Sequence, residues 1–199
     1  WQWASQCTAD HCYGQDIVID SSGNALVTGD FRGSATFGSY SLSNSGSADV
    51  FIAKINSTGT WQWATKAGGT SSETPFNLDV DSNGAGYVTG YFSGTASFGS
   101  TSLTASGTNS QSDMFVAKIS NNGTWQWAVR GGGSSDERGY DIQYSSGYVY
   151  ITGDFGGTAT FGSTSLTVTS NAPYNAFVTK IDQNGTWQWA IKASGGSFL

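Results

Sequence analysis

Trp61-Gln62-Trp63-Ala64 decides the fold of this chain, because the same tetrapeptide stands at Trp1-Gln2-Trp3-Ala4, Trp125-Gln126-Trp127-Ala128 and Trp187-Gln188-Trp189-Ala190. The four copies hold all eight tryptophans, at spacings of 60, 64 and 62 residues. A period of this size marks a tandem array of supersecondary units, each of which needs a neighbour to cover its apolar surface. The 199 residues divide into units 1–60, 61–124 and 125–186, with the strand repeated once more at 187–199.

Outward from the tetrapeptide, the units share an anatomy. A short alternating segment leads through a Ser/Asn/Gly turn to a strand centred on Thr-Gly: Asp16–Asp20 to Val27-Thr28-Gly29, Asn77–Asp81 to Val88-Thr89-Gly90, Asp141–Tyr144 to Ile151-Thr152-Gly153. Polar turn clusters between alternating runs are hairpin signals. Next come Ser34-Ala-Thr-Phe-Gly38, Thr95-Ala-Ser-Phe-Gly99 and Thr158-Ala-Thr-Phe-Gly162, read as a strand extension that bends at the glycine and returns. The most apolar strand follows, Asp49-Val-Phe-Ile-Ala-Lys54, matched by Asp113–Lys118 and Asn175–Lys180. Being apolar on both faces, it is expected to be buried on both. A turn with Gly59, Gly123 or Gly185 then delivers the Trp strand.

Four strands per unit in a meander, with two-sided burial of one of them, describe a blade of a β-propeller. The fold class is therefore all-β, three tandem four-stranded antiparallel blades, with a three-fold β-trefoil or β-prism as the alternative. Asp-Ser-x-Gly-Asn, Val-Thr-Gly, Asp-x-Phe-x-Ala-Lys and Gly-x-x-Trp followed by Gly68-Gly69 or Gly131-Gly132 resemble the bacterial SBBP β-propeller repeats. That resemblance covers all three units and implies a secreted or surface-attached protein. The chain departs from the pattern in its Thr-Phe-Gly insertion and in unit three, where Tyr144 and Asn175 stand for expected aspartates.

Composition narrows the function. Charged residues make up 11% of the chain, 28 residues are glycine, and the net charge is −6, with a pI near 4.4. With Lys and Arg scattered singly, no basic stripe exists to follow phosphates, so nucleic acid is excluded as a partner. No apolar run approaches the roughly 20 residues that span a bilayer. Cys7 and Cys12 flank a short polar loop, and the secreted-type composition favours a disulfide over two separate thiols. Three blades are fewer than the about four to eight of a closed propeller. The chain therefore reads as a window of a longer array, or as one whose copies supply the missing blades.

Self-alignment separates scaffold from candidate site. Trp1, Trp3, Trp61, Trp63, Trp125, Trp127, Trp187 and Trp189 recur in strands and read as core anchors rather than sugar platforms. Lys54, Lys118 and Lys180 recur in an apolar strand, where a charge requires a partner; Asp30 and Asp154 are the candidates. Asp79-Val-Asp-Ser-Asn-Gly84 matches the opening of a calcium loop but lacks the closing acid, and aligns with hairpin turns. Asp16, Asn77 and Asp141 are expected to hydrogen-bond a neighbouring blade rather than to ring a cation. No metal or cofactor is expected. A single His11 gives catalysis little to build on, and Asp30 with Asp154 is the one pair considered for glycoside hydrolysis.

The variable segments lie between each Trp strand and the next unit's first strand. They contribute Tyr13, then Glu73 and Phe76, then Asp136, Arg138 and Tyr140 as ligand-binding candidates. Loops on a rigid scaffold are where binding residues concentrate. The expected function is a non-catalytic secreted repeat module, structural, adhesive or self-assembling, at a bacterial surface or in an extracellular structure. Its partners would be other copies or further repeats. The alternative is a lectin-like module that binds carbohydrate.

Overall fold

The computed structural model describes residues 4–107, 111–168 and 173–193, which are β-strands and their connections. Trp1 and Trp3 lie outside the described residues. A short strand, β1 (Cys7–Thr8), precedes blade one: β2 (His11–Ile19), β3 (Ala25–Arg32), a small hairpin of β4 (Ser34–Phe37) and β5 (Tyr40–Ser43), then β6 (Asp49–Ile55) and β7 (Trp61–Gly69). Blade two repeats this as β8 (Glu73–Val80), β9 (Gly86–Ser93), β10 (Thr95–Phe98), β11 (Thr101–Thr104), β12 (Ser112–Ile119) and β13 (Trp125–Gly133). Blade three follows with β14 (Glu137–Ser145), β15 (Tyr148–Gly156), β16 (Thr158–Phe161), β17 (Thr164–Thr167), β18 (Tyr174–Asp182) and β19 (Trp187–Lys192).

The blade sheets are ordered β2-β3-β6-β7, β8-β9-β12-β13 and β14-β15-β18-β19, all antiparallel. They are propeller-type blades, not the units of a trefoil or prism. Each Trp strand pairs with the strand before it, so a blade runs from a variable segment to a Trp strand. The sequence period is kept, and the sheets are phased to end on the tetrapeptide. The apolar strand β6 is buried at every position. Its counterpart β18 alternates buried and exposed, because one face of blade three is uncovered.

Blades are held together by cores between successive sheets. Leu26, Val50 and Ile52 of blade one pack with Leu78, Val88, Phe92 and Phe115 of blade two. Tyr87, Met114 and Val116 of blade two pack with Ile142, Val149, Ile151 and Phe155 of blade three.

The Thr-Phe-Gly insertions add a second tie. The segment does bend at its glycine and return, as a separate hairpin that joins the outer strand of the preceding unit: β10 pairs with β7, β16 with β13, and β4 with β1. Meanwhile its phenylalanine packs into its own blade. Phe98 lies 5.0 Å from the Phe115 ring and 5.4 Å from Trp125, and the Phe37 and Phe161 triads repeat the geometry. The turn glycine is needed twice over. Gly99 has φ +61, and a Cβ there would sit 3.0 Å from Trp125 Cβ, so any side chain is both strained and crowded. Each hairpin is thus a clasp, hydrogen-bonded to one blade and plugged into the next.

Candidate functional site

Every first strand carries a β-bulge, between Gly14 and Asp16, Pro75 and Asn77, and Gly139 and Asp141. Bulges re-aim a side chain, and the extra residues are Gln15, Phe76 and Tyr140. The Phe76 and Tyr140 rings are 5.2 Å apart, and Phe76 also lies 5.6 Å from Tyr91. Arg138 sits over Tyr91 at 5.8 Å. Tyr140 Oη donates to Asp154 Oδ2 at 3.0 Å, and burial pushes the Asp154 carboxyl up from its ordinary range. Asp136 accepts from Ser112 N and Oγ at 2.9 and 3.0 Å and lies 3.7 Å from Arg138. Phe76, Asp136, Arg138 and Tyr140 therefore come together at the seam between blades two and three, joined by Tyr91.

The other two candidates lie elsewhere. Tyr13 is 59% exposed and packs edge-on against His11 at 4.1 Å in blade one. There His11 and Gln15 contact Asp30 at 3.1 and 3.2 Å. Glu73 is fully buried between blades, so its place in a variable segment does not make it a surface ligand group. The repeat could have revealed this: Glu73 and Glu137 each stand four residues after the last glycine of a Trp strand.

Lys54 and Lys118 pair with aspartates other than Asp30 and Asp154. Lys54 Nζ reaches Asp20 at 2.7 Å and Asn121 of the next blade. Lys118 lies 4.0 Å from Asp81 and donates to Gln183 O of blade three at 3.5 Å. The counterions are the turn aspartates, not Asp30 or Asp154, which are held by side chains of their own blades. Burial opposes ionisation of Asp20, yet Lys54, Asn24 and Ser22 outweigh it and hold the carboxyl well below its usual range. In blade three the strand register puts Ser145, not Tyr144, at the Asp20 position, and Lys180 instead stacks over the Tyr148 ring at 3.5 Å.

The calcium-loop resemblance at Asp79–Gly84 has a plain structural use. Asp81 Oδ1 accepts from Asn83 N and Ala85 N within its own turn, at 2.9 and 3.0 Å, while Asp79 Oδ2 accepts from Tyr144 N of blade three at 2.6 Å. Asp16 Oδ2 accepts from Leu78 N at 2.8 Å and Asn77 Oδ1 from Ile142 N at 3.2 Å, each across a blade boundary. Trp63 and Trp127 also bridge, donating from Nε1 to Asn121 O and Gln183 O at 2.9 and 3.0 Å. Cys7 and Cys12 are disulfide-bonded.

No protein-family model matches the chain. Over an alignment 225 positions long it is 29% identical to an uncharacterized WD repeat-containing protein, L264, of Acanthamoeba polyphaga mimivirus. The chain is a β-propeller-type repeat protein. The match covers 90% of this chain and 16% of the viral protein, so the chain spans about a sixth of that relative's length.

Proposed function

We propose that this chain is a non-catalytic structural repeat module whose two outer blade faces dock further blades of the same kind, supplied by a second copy where the chain stands alone. One comparison carries this reading: Ile17 is 60% exposed, whereas Leu78 and Ile142, at the same repeat position, are 3% and 4% exposed beneath a preceding blade. Ile17 lies in an apolar groove with Val27, Phe51 and Trp61. Trp61 Nε1 is buried there without a hydrogen-bond partner among the described residues, where Trp125 Nε1 reaches Lys66 O of the preceding blade at 2.9 Å. At the far end Val178 is 39% exposed, while its equivalents Ile52 and Val116 are covered. The two faces differ and are complementary by repetition, the condition for a head-to-tail contact. The disulfide and the resemblance to SBBP repeats support a secreted or surface-attached bacterial setting.

Light scattering on a sizing column tests the docking role. Mass that rises with concentration, and falls to one chain on Ile17→Lys, is the expected result; a single-chain mass at every concentration overturns it.

The lectin-like reading keeps support from the Phe76–Tyr91–Tyr140 rings beside Arg138, since flat rings with nearby polar groups suit sugar faces. Glycan binding lost on Tyr140→Ala would favour it.

A further inference from the structure

Glu73 and Glu137 are the only two glutamates of the chain. They open the first strands of blades two and three, fully buried against Asp49 and Asp113, themselves fully buried at the start of the preceding apolar strands. At the first junction Glu73 Oε2 accepts from Gly69 N at 3.0 Å, and Asp49 Oδ2 takes Lys66 Nζ at 2.7 Å and Ser45 N at 3.0 Å. The remaining oxygens, Glu73 Oε1 and Asp49 Oδ1, are buried without a hydrogen-bond partner among the described residues. The second junction repeats the arrangement. Glu137 Oε2 accepts from Gly133 N at 2.7 Å, the Gly156 amide also acts on the Glu137 carboxyl, Asp113 Oδ2 takes Arg130 and Ser106 N, and Glu137 Oε1 and Asp113 Oδ1 have no hydrogen-bond partner among the described residues. Gly68 makes room for the approach: a Cβ on it would lie 2.6 Å from Asp49 Oδ1 and 2.8 Å from Glu73 Oε2.

Each junction thus holds a Glu–Asp pair with one basic side chain bound to the aspartate and two buried acceptors without a donor among the described residues, and at the second junction the Asp136–Arg138 pair lies alongside. Ionised together, the acids would leave a negative charge uncompensated in a dry site, which is strongly unfavourable. A metal would need more acidic or imidazole ligands, and no group of three or more His, Cys, Asp or Glu able to hold one occurs among the described residues. A single proton supplies the missing donor and removes the excess charge together.

We propose that one proton is held at each blade junction, Glu73 Oε1–H donating to Asp49 Oδ1 and Glu137 Oε1–H to Asp113 Oδ1, and that its release to water under alkaline conditions loosens the junction. The charged groups facing Glu73 are Asp49 on β6 and Lys66 on β7. Those facing Glu137 are Asp113 on β12 and Asp136 before β14, with Arg130 bound to Asp113 and Arg138 beside Asp136. Burial first, then the neighbouring aspartate, pushes Glu73 up to about 7 and Glu137 up to about 8. The glutamates are therefore neutral in mild acid, and stability is lost as pH rises from about 4.5, where the unfolded carboxyls ionise, through these folded values. This device is independent of the docking of outer faces, because it lies between blades of one chain.

With glutamate labelled at Cδ, carbon NMR of the full chain gives two carboxyl signals to follow from pH 4 to 10. Both are expected to titrate near or above neutrality. The double variant Glu73→Gln/Glu137→Gln keeps a donor in place of the proton, so its stability should be flat from pH 5 to 9 and exceed the parent's at pH 9. Titration of both glutamates below pH 5 overturns the proposal, as does a double variant with the parent's pH slope, or stabilisation of the parent by added calcium through these acids. Should the double variant fail to fold, the parent's titration decides alone.

Discussion

Cys12 and Glu73 occupy the same place in successive blades: Cys12 is paired with Phe31 and Glu73 with Phe92 across equivalent strand pairs. Each also ties its strand back to the preceding Trp strand or its remnant, Cys12 by the disulfide to Cys7 and Glu73 by accepting from Gly69 N. The start of blade one is therefore closed covalently where the starts of blades two and three use a carboxyl. Closing so short a loop stabilises by about 2 kcal/mol in the chain-entropy account. Reduction, or Cys7→Ser with Cys12→Ser, should lower the unfolding midpoint accordingly and speed amide exchange at Thr36 and Phe37 opposite β1. An unchanged midpoint and unchanged exchange would contradict this.

Phe98→Ala should cost about 3–5 kcal/mol, the usual range for emptying a buried aromatic site. The ring is enclosed by Phe115 and Trp125 while its strand is bonded to the preceding blade, so loss loosens both attachments of the clasp. Urea unfolding measures it, and a cost below about 1 kcal/mol would contradict the clasp.

Asp16 and Asp141 share a repeat position but not a partner. Asp16 accepts from Leu78 N of the next blade, whereas Asp141 accepts from its own Ile142 N at 3.0 Å. Asp16→Ala should therefore cost about 1.5–3 kcal/mol, the range for a charged hydrogen bond, and Asp141→Ala well under half of that. Equal costs in parallel denaturation curves would remove the blade-bridging role of Asp16.

Stability should peak in mild acid. The raised glutamates bind a proton more tightly folded than unfolded, so stability falls as pH rises from about 4.5 through about 7 and about 8, by about 1.4 kcal/mol per pH unit for each group in its window. Asp20 has the opposite sign. Its folded carboxyl is held low, so its contribution is present above 3.8 and is lost as pH falls below that. Melting curves across pH 3 to 9 should give a maximum near pH 4 to 5, and a maximum at pH 8 would refute the assignment.

Much of this was legible because three copies could be compared. The period, the burial of Asp49–Lys54, the turn glycines, the bridging role of Asp16 and Asn77, though not of Asp141, and the disulfide all follow from patterns local to a strand or turn. The blade phase was not legible, since a period is the same wherever counting begins, and only strand pairing shows that the Trp strand closes a blade. The lysine partners were missed because Asp20 and Asp81 read as turn residues, and only the three-dimensional approach of turn and strand makes them counterions. Glu73 was misplaced for a related reason. Its segment varies in length and composition, and its burial arises from the neighbouring blade. The Phe76–Tyr140 contact joins two units and depends on aligned bulges, which no single-strand pattern displays.

The most direct test of blade-face docking is sedimentation of an equimolar mixture of Ile17→Lys and Val178→Lys chains. Each variant retains one working face, and the two retained faces are opposite. Either variant alone is expected to sediment as a single chain, while the mixture forms a dimer and stops there. Association of either variant alone, or none in the mixture while the parent associates, would contradict docking through these two faces.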